Sequence, residues 1–471
     1  MGSQESKRPF IKKISFIIRH RGDLGQLKSD SDAKLFIEDG IAITLIDQTA
    51  RLYTEVLEGL SQFHNWSDRF SERYLDKELQ KLIANAAKEE ANERTIEGCV
   101  SHFFNELVDR LDSYSAENIV IVPIAGFRSD PAPSDARVTI GNLTLMYMND
   151  TRIRETIDVL ENIRAKAPKK APKQEQLVDM LRQNSLDRIK GQVCAEYRVV
   201  AEPERAIERA YDETRRSLDW LRCATFFLYS REKGKKMAAG LGPLGEVITY
   251  TPETALIMSS SSTRITLRNA AKGPLFRFDW NAENIRSLRE SGFLRMAELL
   301  KCPVLTDFQQ ALLLGVHWFA DSLTQLQKEN ELLSLITCLE SVIPSKDKFD
   351  KRSTEGGISH AIAESVATAY AANLPPKQKN RDRIRGAAEK LVLDMYGKRS
   401  HITHGGKIEI FDRELGELSL LVGGLINWLI QQYQSEEFLD QLAFLKWLQF
   451  HKSKFDYERL EKEFRAAKKS N

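Results

Sequence analysis

The residues best equipped for chemistry form one short run, Tyr396-Gly397-Lys398-Arg399-Ser400-His401-Ile402-Thr403-His404-Gly405-Gly406. An arginine is followed five positions later by a histidine, and the histidine by paired glycines. A guanidinium is a permanent cation whose planar fork of donors matches a phosphate group. An imidazole gives or takes a proton near neutral pH. Brought together over a ribose–phosphate link, Arg399 would hold the scissile phosphate. His404 would then assist attack on it by the neighbouring ribose hydroxyl, a reaction that needs no metal or other cofactor.

These groups must be carried by a helix. Ile384, Ala388, Leu391, Met395 and Ile402 keep helical spacing, which predicts a helix from about Lys379 to His404 with those residues on its buried side. Arg381 and Arg399 are separated by five full turns and share a face, and Lys377 and Arg385 fall within about 40° of that line. A cationic stripe beside the buried face, leading to Arg399, is therefore expected. Lys377, Arg381, Arg385, Lys398 and Lys407 are its candidate RNA-binding residues. From 377 to 407 there are nine Lys and Arg against three Asp and Glu, a local net of +6. Such a concentration suits phosphate binding, although a solvated helix face has the same composition.

The spacing of the pair poses a geometric problem. Five residues along a straight helix turn Arg399 and His404 about 140° apart. Gly405-Gly406 could end the helix early, so that the chain leaves it before His404 and swings the imidazole round. Alternatively, residues from two copies of the chain could meet at a two-fold axis. Each group also has a structural alternative. Arg399 could pair with Glu340 or Asp394, and His404 could serve the helix C-terminus. His401 is a second candidate proton carrier or a surface histidine. Tyr396 reads more as packing than chemistry. His64, His102, His317 and His360 read as structural.

Bulk properties narrow the remaining choices. The chain has 471 residues, 42% of them hydrophobic, with 69 basic against 67 acidic side chains and a net charge of +2. Two or three domains with real cores are expected, and any nucleic-acid surface must be local. Cys99, Cys194, Cys223, Cys302 and Cys338 include no C-x-x-C pair. That argues against a zinc ribbon or a disulfide framework and for a reducing, cytoplasmic setting. The apolar run Phe16-Ile17-Ile18 is too short for a signal peptide, and Leu418 to Ile430 is too short for a membrane span.

The expected fold class is α+β, predominantly α. Residues 1–117 read as a helical region, with Ile37, Ile41 and Leu45 at helical spacing, followed by Leu52, Val56, Leu60 and Phe63. Residues 118–283 read as a small mixed α/β region. Its strands are expected at 118–125, around Gly141-Asn142, at 193–200 and as a pair within 246–268. The proline-broken basic stretch at 166–173 reads as a linker. Gly240-Leu241-Gly242-Pro243-Leu244-Gly245 matches G-x-G-x-x-G but precedes a strand and contains a proline, so it reads as a turn. Residues 284–435 predict an antiparallel helical bundle, with Thr306-Asp307 capping its first long helix. Residues 436–471 predict a charged amphipathic tail.

On these residues the segment 284–435, about a third of the chain, resembles the HEPN superfamily of helical-bundle ribonucleases, most closely its Apea-like branch. The resemblance is carried by Leu332 to Ile343, with its Leu339-Glu340 pair, by Tyr396, Arg399-Ser400 and His404-Gly405-Gly406, and by the closing amphipathic helix. Many members have Asn after the arginine; Ser400 suits the Apea-like branch. The resemblance implies a metal-independent endoribonuclease of antiphage or toxin type that leaves a 2′,3′-cyclic phosphate and a 5′-hydroxyl. Its RNA substrate could be tRNA. Arg399 and His404 would be catalytic, and Glu340, Ser400, His401 and Tyr396 supporting, with Glu340 orienting Arg399. A homodimer would complete a composite cleft, and the N-terminal region would sense a trigger or restrain activity. The alternative is a non-catalytic RNA-binding or dimerising HEPN scaffold.

Overall fold

The computed structural model describes residues 4–20, 33–38, 41–90, 95–114, 117–128, 133–165, 188–229, 231–243, 254–258, 265–269, 277–344, 357–375, 378, 380–406, 408–435, 438 and 440–470. They are predominantly helical with a small sheet. The expected linker at 166–173, together with Lys377 and Lys407, lies outside the described residues. The chain divides into two compact units, one of Met1–Val120 with Arg198–Ala210, the other of Ile121–Tyr197 with Tyr211–Asn471.

The first unit is built on α1 (Gln4–Arg19), a hairpin of β1 (Ala33–Glu38) and β2 (Ile41–Ile46), α2 (Gln48–Gln62), α3 (Glu72–Glu90) and α4 (Ile96–Asp112). Its core gathers Ile14, Ile17, Tyr53, Val56, Trp66, Leu79, Ile83 and Phe104. Phe16-Ile17-Ile18 thus belongs to an amphipathic helix. The helical expectation for Ile37, Ile41 and Leu45 is overturned, because these residues lie in two antiparallel strands with Glu38 opposite Ile41. Four-residue spacing is also compatible with two strands, and the intervening Asp39-Gly40 is a hairpin signal.

A five-stranded sheet, most of it in the second unit, runs β5-β6-β7-β3-β8. Its strands are β3 (Glu117–Ala125), β5 (Val138–Ile140), β6 (Leu143–Tyr147), β7 (Val193–Val200) and β8 (Gly242–Pro243). The short β4 (Phe127–Arg128) pairs separately with β11 (Phe278–Asp279), and β9 (Thr254–Met258) pairs with β10 (Ile265–Asn269). The strand pair expected within 246–268 is therefore present, slightly displaced. The helices here are α5 (Asp150–Ala165), α6 (Pro203–Leu228), α7 (Arg231–Ala239), α8 (Ala282–Glu290) and α9 (Phe293–Met296).

Six longer helices follow: α10 (Asp307–Thr324), α11 (Lys328–Val342), α12 (Gly357–Ala372), α13 (Arg381–Thr403), α14 (Asp412–Gln434) and α15 (Gln441–Ser470). The sequence accounts for the start of α10. The Thr306 hydroxyl accepts from Gln309 N–H at 3.3 Å while the Gln309 side chain accepts from Thr306 N–H at 2.8 Å, satisfying two orphan donors. Helices α10 and α11 pack as one pair and α12 and α13 as another, with α14 against α10, α11, α12 and α13. Gly315 permits a close approach, since a Cβ there would stand 2.3 Å from Val342 Cγ1 and 2.9 Å from Ile426 Cδ1. This packing holds α11, which carries Glu340, against α13, which carries Arg399.

Candidate functional site

The buried residues of α13 are Ala388, Val392, Met395 and Tyr396. At 100° per residue their centre is rotated by about 60° from that of the expected face of Ile384, Ala388, Leu391, Met395 and Ile402. Ala388 and Met395 are buried as expected, while Ile384, Leu391 and Ile402 are only half-buried. The consequence falls on the cationic stripe, which runs along the packing face and not beside it. Arg381 donates to the Leu374 carbonyl, seven residues earlier in the chain. The Arg385 side chain is only 14% exposed; it pairs with Glu364 at 3.5 Å and Asp456 at 3.8 Å and lies 5.2 Å from the centre of the Phe455 ring. Lys452 of α15 reaches the other Glu364 oxygen at 2.6 Å. One carboxylate of α12 therefore ties α13 and α15 together, and these arginines serve the fold.

Among its described residues the stripe opens at its far end. Lys398 is drawn to Glu414 at the start of α14, with its ammonium 5.4 Å from the centre of the Phe411 ring. Its hydrogen bond holds the Glu414 carboxyl below the usual carboxylate range. Arg399 instead faces α11. Its Nη2 stands 3.8 Å from Glu340 Oε2, and the arginine side chain is 36% exposed. Glu340 Oε1 accepts from the Tyr396 hydroxyl at 3.1 Å. The phenol is buried, and burial followed by the nearby Glu340 charge pushes its pKa far up, so it stays protonated.

The end of α13 differs from one of the two arrangements expected. The helix does not stop before His404. His404 N–H still donates to the Ser400 carbonyl at 3.2 Å, and helical residues continue to Thr403. The break comes one residue later, where Gly405 takes φ 79° and its N–H bonds to the Ile402 carbonyl at 3.1 Å. Gly406 N–H reaches the His401 carbonyl at 2.8 Å, completing a Schellman motif. Arg399 and His404 thus keep the roughly 140° separation of a regular helix within one chain. The His404 imidazole is exposed, as are Ser400 and His401.

Outside this region, His317 Nδ1 meets the buried Asp219 carboxylate at 2.8 Å. In the first unit His64 Nδ1 meets Asp112 at 2.9 Å, and the same carboxylate accepts from Trp66 Nε1 at 2.9 Å. Neither pairing was visible in the sequence, because each joins residues far apart along the chain. The same is true of Glu364 and Glu414, the acidic partners of Arg385 and Lys398. Gly240, in the G-x-G-x-x-G match, follows the last turn of α7, and Gly242-Pro243 forms β8. All five cysteines are free thiols. No described helix is long and apolar enough to cross a membrane. No protein-family model matches the chain, and neither a curated protein nor a solved structure is similar to it.

Proposed function

We propose that the chain is a cytoplasmic, metal-independent endoribonuclease of the antiphage or toxin type, built on a HEPN-like bundle and completed by a second copy. The observation that carries this reading is the state of Arg399. It is aimed at Glu340 across a helix interface without being closed into a hydrogen-bonded pair, and over a third of its side chain remains accessible. A cation so placed meets a phosphate with its donors available. His404 stands exposed on the Schellman turn of the same helix. Because one chain keeps the two groups on different faces, the cleft takes Arg399 from one copy and His404 from the other.

In this reading Arg399 binds the scissile phosphate and stabilises the charge developing on its equatorial oxygens. His404 moves the proton between the ribose 2′-hydroxyl and the leaving 5′-oxygen. The 2′-oxygen forms its bond to phosphorus as the 5′-oxygen bond breaks, leaving a 2′,3′-cyclic phosphate and a 5′-hydroxyl. Glu340 steers the guanidinium, and the exposed Ser400 and His401 lie within about 60° of His404 on the helix.

The test uses full-length protein and total RNA in EDTA. Cleavage that persists under chelation and falls by about 10²-fold or more in Arg399→Ala and in His404→Ala supports the enzyme. Binding without cleavage by the wild type favours a scaffold that only binds RNA or dimerises. Cleavage by both variants at the wild-type rate rejects the site.

A further inference from the structure

We infer that Tyr396 is a positioning residue which, by anchoring one oxygen of Glu340, holds that carboxylate in an orientation from which it does not close on Arg399 and so leaves the arginine's donor fork open to a phosphate. The inference rests on the ribonuclease reading only for what the open fork receives.

Glu340 offers two oxygens at the last turn of α11. Tyr396 and Arg399 are three residues apart on α13 and therefore address it side by side. The phenol takes Oε1 at 3.1 Å, a hydrogen bond. Arg399 Nη2 stays 3.8 Å from Oε2, close enough for charge attraction and too far for a hydrogen bond. An arginine and a carboxylate left to themselves form two parallel N–H···O bonds, the strongest geometry available to them. That geometry needs both oxygens turned toward the guanidinium. Each oxygen can accept more than once, but the bond from Tyr396 fixes the carboxylate in an orientation that leaves Oε2 beyond hydrogen-bond reach of Arg399.

The phenol is suited to this work. It is a neutral donor, so it fixes the carboxylate without adding a charge that would compete for the phosphate. Its side chain is buried, which holds the hydroxyl in place. Glu340 itself is partly exposed and free to turn if the hydroxyl is removed. Loss of that one oxygen atom should let Glu340 grip Arg399 with both oxygens. The guanidinium would remain in place and charged, yet its fork would be occupied.

The two effects can be read separately. Guanidinium proton signals of Arg399, assigned by their absence in Arg399→Ala, are followed without RNA in wild type and Tyr396→Phe. Exchange of these protons with water should slow in Tyr396→Phe. In parallel, a short 2′-O-methyl oligouridine, which lacks the attacking hydroxyl, should bind Tyr396→Phe roughly tenfold or more weakly than wild type. Adding Glu340→Gln to Tyr396→Phe should restore binding, because the competing anion is gone. A purely structural defect would not be restored in this way. Unchanged proton exchange with unchanged binding overturns the inference, as does weakened binding that Glu340→Gln fails to restore. If Tyr396→Phe does not fold, Glu340→Gln is read by proton exchange alone: the Arg399 protons should exchange about as fast as in wild type, and markedly faster exchange would show a wild-type carboxylate already closed on Arg399 and overturn the inference. A wild type that binds no oligonucleotide defeats the ribonuclease reading, while the proton exchange still decides the role of Tyr396.

Discussion

Arg385 and Arg399 lie within about 40° of one line along α13, yet the first is enclosed by Glu364, Asp456 and Phe455 while the second, among the described residues, has Glu340 as its ion-pair partner and keeps over a third of its side chain exposed. One helix face thus divides into a structural end and an open end. Replacing Arg385 by alanine removes two ion pairs and a cation–π contact but leaves Glu364 its bond to Lys452. The expected loss is roughly 1–2 kcal/mol of stability, measured by chemical denaturation, with RNA cleavage intact well below the melting temperature. Arg399→Ala should show the converse, near-wild-type stability and lost cleavage. Arg385→Ala that stays stable and fails to bind RNA would return the inner stripe to the substrate.

The proposed sharing of a cleft between copies makes an unusual demand on mixtures. Arg399→Ala and His404→Ala should each be inactive alone. After they are mixed and allowed to exchange subunits, a heterodimer carries one cleft with both groups and one with neither. Activity should return to about a quarter of wild type, since half the dimers are mixed and half of their clefts are intact. No recovery, in a mixture shown to exchange, would mean that both groups act from the same chain or that neither acts.

The limits of the sequence reading have identifiable physical causes. Thr306 and Gln309 announced the start of α10 because capping depends on residues three apart. Gly405-Gly406 likewise announced the end of α13, one residue later than the geometry of the active pair had invited. The buried face of α13 was misplaced because Arg381 and Arg385 made that line look polar. Arginine stems pack readily against apolar neighbours while their heads find partners. Those partners, Glu364 and Asp456, are supplied by α12 and α15 and follow only from tertiary packing. The hairpin at 33–46 was missed because four-residue spacing satisfies a helix as well as two strands joined by a turn. Glu340 was legible as a partner for Arg399, but its simultaneous bond to Tyr396 was not.

The Schellman turn should be sensitive to a single methyl group. Gly405 holds φ 79°, where an L side chain is strained. No other heavy atom lies within 4 Å of a Cβ placed there, so the cost of alanine is conformational and not steric crowding by neighbours. Gly405→Ala should therefore lose about 1 kcal/mol, while Gly405→Asn, whose side chain tolerates this region, should lose less. Because the turn fixes His404, cleavage should fall more in the alanine variant than in the asparagine one. Equal melting temperatures for all three proteins would show that the turn adds nothing to stability.

The pairing of His317 with Asp219 predicts a distinct pH dependence of stability. Asp219 Oδ2 lies 2.8 Å from His317 Nδ1, and this hydrogen bond raises the imidazole pKa above its ordinary 6.5 in spite of partial burial. Asp321 adds to the shift and Arg222 opposes it. The folded chain therefore holds the proton more tightly than the unfolded chain. The stabilisation is fully present below about pH 6.5 and is lost as the pH rises through the higher folded value. His317→Gln abolishes this titration. The melting temperature of wild type should exceed that of the variant most clearly near pH 5.5, and the gap should narrow steadily toward about pH 9. Since Asp219 also keeps Arg222 at 2.8 Å and the imidazole is half exposed, the gap should be modest. A gap that stays constant across this range, or widens in alkali, would show that the pair contributes through packing and not through the proton.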